Sequence, residues 1–317
     1  MKLGLETESY HLFFQHHRMD IFDFIQKTVE LGLDGVQINI IEDLNLNPDW
    51  GTLGNAHPDH LAKVKKMLEK YHLFCEIDSR GIEFDHLKRV IEVANQIGAD
   101  VIRTYINRGI YDKEKTDNAY KELKKIVPLL KKYQIKLAIE NHEEETADEI
   151  IKVIQSVDSP WVGALCDNGN GMMAWEDPVV TVSKLAPYSV SSHFKDHFLI
   201  HDGEEYRVSG CPIGQGNIDI EECFKILVEQ STLQRVNIEM CHPYVSTFKR
   251  PIGTGGVSSP GDGAFKVEEP FYPIELIAPL DSYYPTEDLL EQMLRDQDEG
   301  VKESVKAVKE LRDKYCR

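Results

Sequence analysis

Long apolar runs are missing from this chain of 317 residues, and no stretch of 18 is apolar enough to predict a membrane-spanning helix. Paired cysteines are missing as well. The six cysteines stand apart at 75, 166, 211, 223, 241 and 316, with no C-x-x-C spacing. That argues against a thiolate zinc centre and fits reduced thiols in a cytoplasmic protein. Positive charge is scarce: 36 Lys and Arg face 54 Asp and Glu, for a net charge of −18. Nucleic acid, an anionic membrane and a polyanionic substrate are therefore disfavoured as partners. Nucleotide-binding glycine signatures are absent too. Gly214 and Gly216 lack the strand-Gly-x-Gly-x-x-Gly-helix setting and read as a turn near the substrate, while Gly253, Gly255 and Gly256 match no P-loop and read as flexible loop. The first residues read as a strand, with no signal peptide.

What the chain does have is alternation. Hydrophobic residues make up 41% of it, enough for a large core. Eight short apolar stretches, at 3–6, 35–40, 73–77, 101–106, 136–140, 162–167, 188–193 and 235–239, read as strands. Apolar residues recur at helical spacing between them, as in Ile21, Phe24, Ile25 and Val29, or Leu87, Val90, Ile91, Ala94 and Ile97. Gly32 and Gly98 stand where helices should stop, Thr146 and Glu149 have capping-box spacing, and Asp219 with Glu222 marks another helix start. Pro128 predicts a kink in the helix carrying Tyr120, Leu123, Val127 and Leu130. Eight strand–helix units predict an α/β protein, a single (β/α)8 barrel, with an open doubly wound sheet as the alternative. Residues 1–242 are the expected barrel core. Residues 243–285, rich in Gly, Pro and aromatics, predict a lid or an oligomer contact, and 286–317 predict C-terminal helices.

Four strands end in a side chain able to bind metal: Glu140, Asp167, His193 and Glu239. A carboxylate at the end of a buried apolar strand is costly unless it is paired. Strand ends of a barrel converge on one face, so the four are expected to share one divalent ion. Three carboxylates and an imidazole suit Mn, Mg, Co or Fe better than structural zinc. Alone, each residue has a plainer explanation. Glu140 pairs with Arg103, Asp167 caps a turn at Asn168 and Gly169, His193 is a hydrogen-bonded core histidine, and Glu239 pairs with Lys195. Arrival of all four at equivalent strand ends is what points to metal. Arg103, His142, Lys195 and Arg207 are candidates for holding substrate, with solvated surface cations the alternative for the basic ones. Glu76 and Asp78 read as a second polar wall or as plain surface. An octahedral ion held by four ligands leaves two positions for a ketone and its neighbouring hydroxyl, which acidifies the carbon between them.

The order Glu140, Asp167, His193, Glu239 on the fifth to eighth strands carries a family resemblance. So do Ile139-Glu140-Asn141-His142, Cys166-Asp167, His193-Phe194-Lys195-Asp196 and Pro212-Ile213-Gly214-Gln215-Gly216-Asn217-Ile218-Asp219. Together they resemble the xylose isomerase-like TIM barrels, and within them the sugar-phosphate isomerase/epimerase branch. The resemblance implies that Glu140 and Glu239 are catalytic, binding the metal and shuttling a proton. The expected activity is a divalent-metal-dependent isomerase or epimerase of a small keto sugar or sugar acid, through an enediolate. A lyase, decarboxylase or dehydratase, of a keto-sugar acid or keto-inositol is the alternative. It is kept open by the long 243–285 segment with Lys249, Arg250 and Lys266. A non-catalytic carbohydrate-binding barrel is the reading from another class; it would fit loss of a ligand, and all four are present. A three-zinc abasic-site endonuclease on the same barrel is disfavoured. Asn170 stands where that enzyme needs histidine, and the Asp-x-His after His193 is missing. The expected partner is a small carbohydrate, with no nucleic acid and no membrane, and a homo-oligomer is compatible.

Overall fold

A computed structural model describes residues 1–42, 45–203, 205–270 and 286–316. Eight parallel strands form the barrel: β1 (Lys2–Glu6), β2 (Gly35–Asn39), β3 (Phe74–Asp78), β4 (Val101–Thr104), β5 (Lys136–Glu140), β6 (Val162–Asp167), β7 (Ser189–Phe194) and β10 (Arg235–Ile238). They close in the order β1-β10-β7-β6-β5-β4-β3-β2. The architecture is therefore a (β/α)8 TIM barrel, as the alternation predicts. Helices wrap it: α1 (His11–Gln15), α2 (Ile21–Glu30), α3 (Pro58–Tyr71), α4 (Phe84–Ile97), α5 (Lys113–Tyr133), α6 (Ala147–Val157), α7 (Pro178–Leu185), α8 (Ile220–Gln230) and α9 (Glu287–Tyr315). Each strand buries one row of Leu, Ile and Val against these helices and turns the other row into the barrel, where polar side chains collect at the mouth.

Local signals set the helix ends. Asp20 and Asp23 make a reciprocal capping box on α2, and Thr146 and Glu149 make the expected one on α6. Asp219 accepts from the Glu222 amide to start α8, and Gly98 ends α4 at φ +86°. The helix α5 continues past Pro128 to Tyr133.

Three features depart from the sequence reading. The fourth strand ends at Thr104, short of the expected 106. The C-terminal helices are one helix, α9, of 29 residues, because Leu290, Leu294, Gln297, Val301, Val305 and Val308 form one continuous buried stripe at three- and four-residue steps. After β7 the chain does not run directly to α8. It builds a second, antiparallel sheet from β8 (Asp196–His201), β9 (Tyr206–Cys211) and β11 (Val245–Thr247), in the order β11-β9-β8. Five of the six β8 residues are buried. Both faces are therefore covered, and the two-residue alternation that reveals a half-exposed strand is lacking.

The barrel floor is tightly closed. Phe74 fills the space above Gly35, where an added Cβ would stand 2.2 Å from the ring, and Arg235 lies 4.6 Å from the ring centre. We predict that Gly35→Val costs about 1–3 kcal/mol through overpacking, read as a lower denaturation midpoint at unchanged m-value. Wild-type stability in the variant would show that Phe74 is free to move aside.

Candidate metal centre and active site

Register delivers the four predicted residues to one place. Asp167 ends β6 and pairs laterally with His193 of β7. Glu140 ends β5, and Glu239 follows β10 directly, its amide donating to the Phe194 carbonyl at 3.0 Å. Three carboxylates converge on one imidazole nitrogen. His193 Nδ1 lies 3.0 Å from Glu140 Oε1, 3.6 Å from Asp167 Oδ2 and 2.9 Å from Glu239 Oε2. Donor atoms of Glu140, Asp167 and His193 all lie within 4.8 Å of one another, and all three residues are buried.

The carboxylates divide their oxygens between structure and site. Asp167 Oδ1 accepts the Gly169 and Asn170 amides at 2.8 Å each, which is the turn cap expected from sequence. Its Oδ2 is buried, has no hydrogen bond, and faces the cluster with the Lys195 ammonium 2.8 Å away. Glu140 gives Oε2 to Arg103, the expected ion pair, and turns Oε1 toward His193. Glu239 Oε2 is likewise buried without a hydrogen bond, 2.6 Å from Lys195. The plain pairings are thus all present; those of Glu140 and Asp167 leave a second oxygen for the site, while Glu239 meets both Lys195 and His193 through Oε2.

The imidazole is oriented from below. Gln37 donates its amide N–H to Glu76 Oε2 at 2.8 Å, so its carbonyl oxygen must accept from His193 Nε2. That hydrogen bond fixes a proton on Nε2 and leaves Nδ1 either protonated or free to bind a cation. Glu76 also accepts from Ser191 at 2.6 Å and from Asn237 at 3.0 Å, and pairs with Arg235 at 2.5 Å. Sequence reading left Glu76 undecided between wall and surface. It is fully buried inside the barrel, and its signal is a charge between Cys75 and Ile77, inside the strand rather than at its end. Gln37 went unnoticed because an amide carries no charge to flag it.

Charge accounting supports a divalent cation. Asp78, Glu140, Asp167 and Glu239 bring four negative charges, and Arg103 and Lys195 return two. Burial, then Asp78 and Glu239, pushes the nearby Glu6 carboxyl well above its ordinary value, and burial also raises the Asp78 carboxyl against the pull of Arg103. Without metal, Glu239, Asp167 and Glu140 overcome burial and hold a proton on His193 far above the usual imidazole range. Against burial, the same contacts and Lys195 keep the Asp167 and Glu239 carboxyls well below theirs. The donor set and the excess of buried carboxylates over fixed cations fit one divalent ion.

Above the cluster opens a cavity of about 810 Å³, walled by Arg103, His142, Lys195, Arg207 and Glu239 among others. Glu140, Asp167 and His193 lie beneath it, fully buried. His142 stacks on Tyr105 with ring centres 3.9 Å apart. Arg207 reaches in from β9 but is held by Asp202 and by Glu205 at 3.4 Å. The described part of the 243–285 segment is docked, and 271–285 lies outside the described residues. Its β11 flank contributes Tyr244, Val245, Ser246, Thr247 and Lys249 to the cavity wall. Further on, Trp175 stacks on Phe248 at 3.8 Å, and Gly255 and Val257 donate backbone bonds to Ala174 and Trp175.

The family described as xylose isomerase-like TIM barrel matches residues 25–253. The chain belongs to that family. It is 29% identical over 175 residues to the 3-oxo-isoapionate decarboxylase of Pectobacterium atrosepticum, covering 55% of this chain and 63% of that enzyme. It is 25% identical over 238 residues to the L-ribulose-5-phosphate 3-epimerase UlaE of Escherichia coli, covering 68% and 80%. A solved D-psicose 3-epimerase shares the fold at TM-score 0.60 and 14% identity, covering 95% of this chain and 97% of that one. Two more solved barrels carry metal. One is the IOLI protein with a zinc atom, at TM-score 0.59 and 14% identity over 77% and 90% of the two chains. The other is a Mycobacterium smegmatis protein in complex with magnesium, at 0.56 and 17% over 68% and 80%. The named relatives thus include 3-epimerases and a decarboxylase, and the chain spans less than two thirds of the decarboxylase.

An acidic loop after β5 supplies a pH test. Glu145 is buried and accepts from the Asn107 side chain at 2.6 Å, while its other oxygen has no partner. Burial first, then neighbouring Glu144, raises its carboxyl from 4.5 to about 8. A folded value above the unfolded one gives stability that is complete below 4.5 and lost as pH rises through about 8. Glu145→Gln should therefore lose less melting temperature than wild type across that window. Identical pH profiles would show that Glu145 is already ionised in the folded protein.

Proposed function

We propose that this protein is a divalent-metal-dependent enzyme working at the carbon beside the ketone of a small keto sugar or sugar acid. The observation that carries the reading is the meeting of Glu140, Asp167 and Glu239 at His193 Nδ1, beneath a cavity roomy enough for a small sugar. The four residues would hold one ion of Mn, Mg, Co or Fe. When bound, such an ion polarises a ketone and its neighbouring hydroxyl and makes the carbon between them acidic. Gln37 and Glu76 set the imidazole tautomer, and Lys195 keeps Glu239 ionised as a base. Of the four, Glu239 is the one that lines the cavity, so it is the group that would take the proton from that carbon. In an isomerase or epimerase Glu140 is the second carboxylate, returning a proton on the other face. Residues 244–249 roof the site and exclude water.

A second reading, lyase, has its own support. The decarboxylase relative is more similar in sequence than the epimerase, at 29% against 25% identity. Glu140 lies below the cavity wall with one oxygen held by Arg103, which favours one working carboxylate over two. In a decarboxylation the bond to the carboxylate breaks, its electron pair passes toward the polarised ketone, carbon dioxide leaves, and a solvent proton entering through the cavity that Glu239 faces takes its place on the carbon.

Two experiments test the reading. Glu239→Gln keeps an oxygen for the metal and loses the acid–base group, so turnover should fall about 10²- to 10⁴-fold while metal content by elemental analysis partly survives. Full turnover in the variant would remove Glu239 from the chemistry. An isomerase or epimerase run in heavy water should also place deuterium on the reacting carbon of substrate and product, whereas a lyase should release carbon dioxide. Separately, Gln37→Leu frees the tautomer, and titration with Mn²⁺ should show affinity about 10- to 100-fold lower. Unchanged affinity would mean that the Gln37 contact does not orient a ligand.

A further inference from the structure

The cavity is lined by six cationic side chains, Arg80, Arg103, Arg108, Lys195, Arg207 and Lys249, and by five carboxylates. In a protein with a net charge of −18 this lining is unusual. Most of these cations are committed. Arg103 is held by Asp78 and Glu140, Lys195 by Asp167 and Glu239, Lys249 by Glu143 at 3.3 Å, and Arg207 by Asp202 and Glu205. Arg80 and Arg108 differ: among the described residues neither has a carboxylate oxygen within 4.0 Å. Arg103, Lys195 and Arg207, the cations that sequence singled out for the substrate, are thus already neutralised.

Arg80 follows β3 and Arg108 follows β4, and Arg108 Nη2 donates to the Arg80 carbonyl at 2.8 Å, tying the two loops together. Arg80 lies 5.7 Å from the Tyr105 ring centre, and Arg103, which holds Glu140, lies 4.5 Å from the same centre. Arg80 Nε is buried with no hydrogen-bond partner. Glu83 is the nearby acid. Its Oε2 and Arg108 Nη2 both come within 2.5 Å of where a Cβ on Gly81 would stand, without closing into an ion pair. Gly81, at φ +98°, is what allows that approach.

We propose that Arg80 and Arg108 receive the anionic end of the substrate, a carboxylate or a phosphate ester, so that the enzyme takes a keto-sugar acid or keto-sugar phosphate in preference to a neutral ketose. The proposal rests on the function argued above for the other end of the substrate. Planar guanidiniums bind such oxygens through paired charge-assisted hydrogen bonds; Arg80 Nε has no partner, and Arg108, joined to the Arg80 carbonyl, has no carboxylate among the described residues within 4.0 Å.

Calorimetric titration of the whole protein with D-gluconate, glycerol 3-phosphate and D-fructose tests it without needing turnover. Wild type should bind at least one of the two anions more tightly than D-fructose, and the preferred anion identifies carboxylate or phosphate as the group received. The double variant Arg80→Met, Arg108→Met should lose about 10-fold or more of that anion's affinity, with D-fructose affinity and metal content unchanged. Arg80→Lys alone, which keeps the charge, should retain part of it. Anion affinity unchanged in the double variant, or D-fructose preferred by wild type, would overturn the subsite. Loss of anion binding in a protein that turns over no keto sugar would uphold the subsite and sink the enzymatic reading.

Discussion

An excess of buried negative charge at the barrel mouth governs this structure. Four carboxylates meet there, against two fixed cations, under side chains that keep out most water. Such an arrangement is unfavourable unless a further cation completes it. In the metal-free protein a proton on His193 Nδ1 partly fills that role, so proton and metal compete for one position. Arg103 and Lys195 are then best understood as spacers. Arg103 holds the outer oxygen of Glu140 and leaves the other aimed inward, whereas Lys195 sits beside the inward oxygens of Asp167 and Glu239.

Splitting each carboxylate between two duties explains why structural and functional readings of the same residue coexist. Asp167 caps its turn with one oxygen and faces the cluster with the other. Glu140 holds Arg103 with one and meets His193 with the other. A residue used this way is hard to move, because its structural half is hydrogen-bonded to backbone or to a buried guanidinium. Rigidity of this kind is what a site needs to hold ligands at fixed positions.

The roof is built from distant parts of the chain. Glu143, in the loop after β5, binds Tyr244 and Ser246 of the segment after β10, and Arg250 binds the Glu144 carbonyl at 2.7 Å and Glu149 at 3.0 Å. These cross-contacts join the acidic loop to residues 244–250 and fix that part of the cavity wall.

Much of this was written in the chain. Periodicity alone gave eight strands and the helices between them, because a two-sided barrel strand must be an apolar run and a surface helix must carry a stripe. Placement of Glu140, Asp167, His193 and Glu239 at strand ends followed from the same runs, since a charge that ends a greasy strand is conspicuous. The antiparallel sheet of β8, β9 and β11 was not legible, because its most apolar strand is buried on both faces and shows no alternation. Neither was the Gln37–Glu76 support, which joins residues 39 positions apart through neighbouring strands. Nor could sequence tell committed cations from free ones. Arg103 and Arg80 look alike in a string of letters, and only the folded chain brings two carboxylates to Arg103 and, among the described residues, none to Arg80. Pairing depends on distances of a few ångströms between residues far apart in sequence, and those are fixed by closure of the barrel.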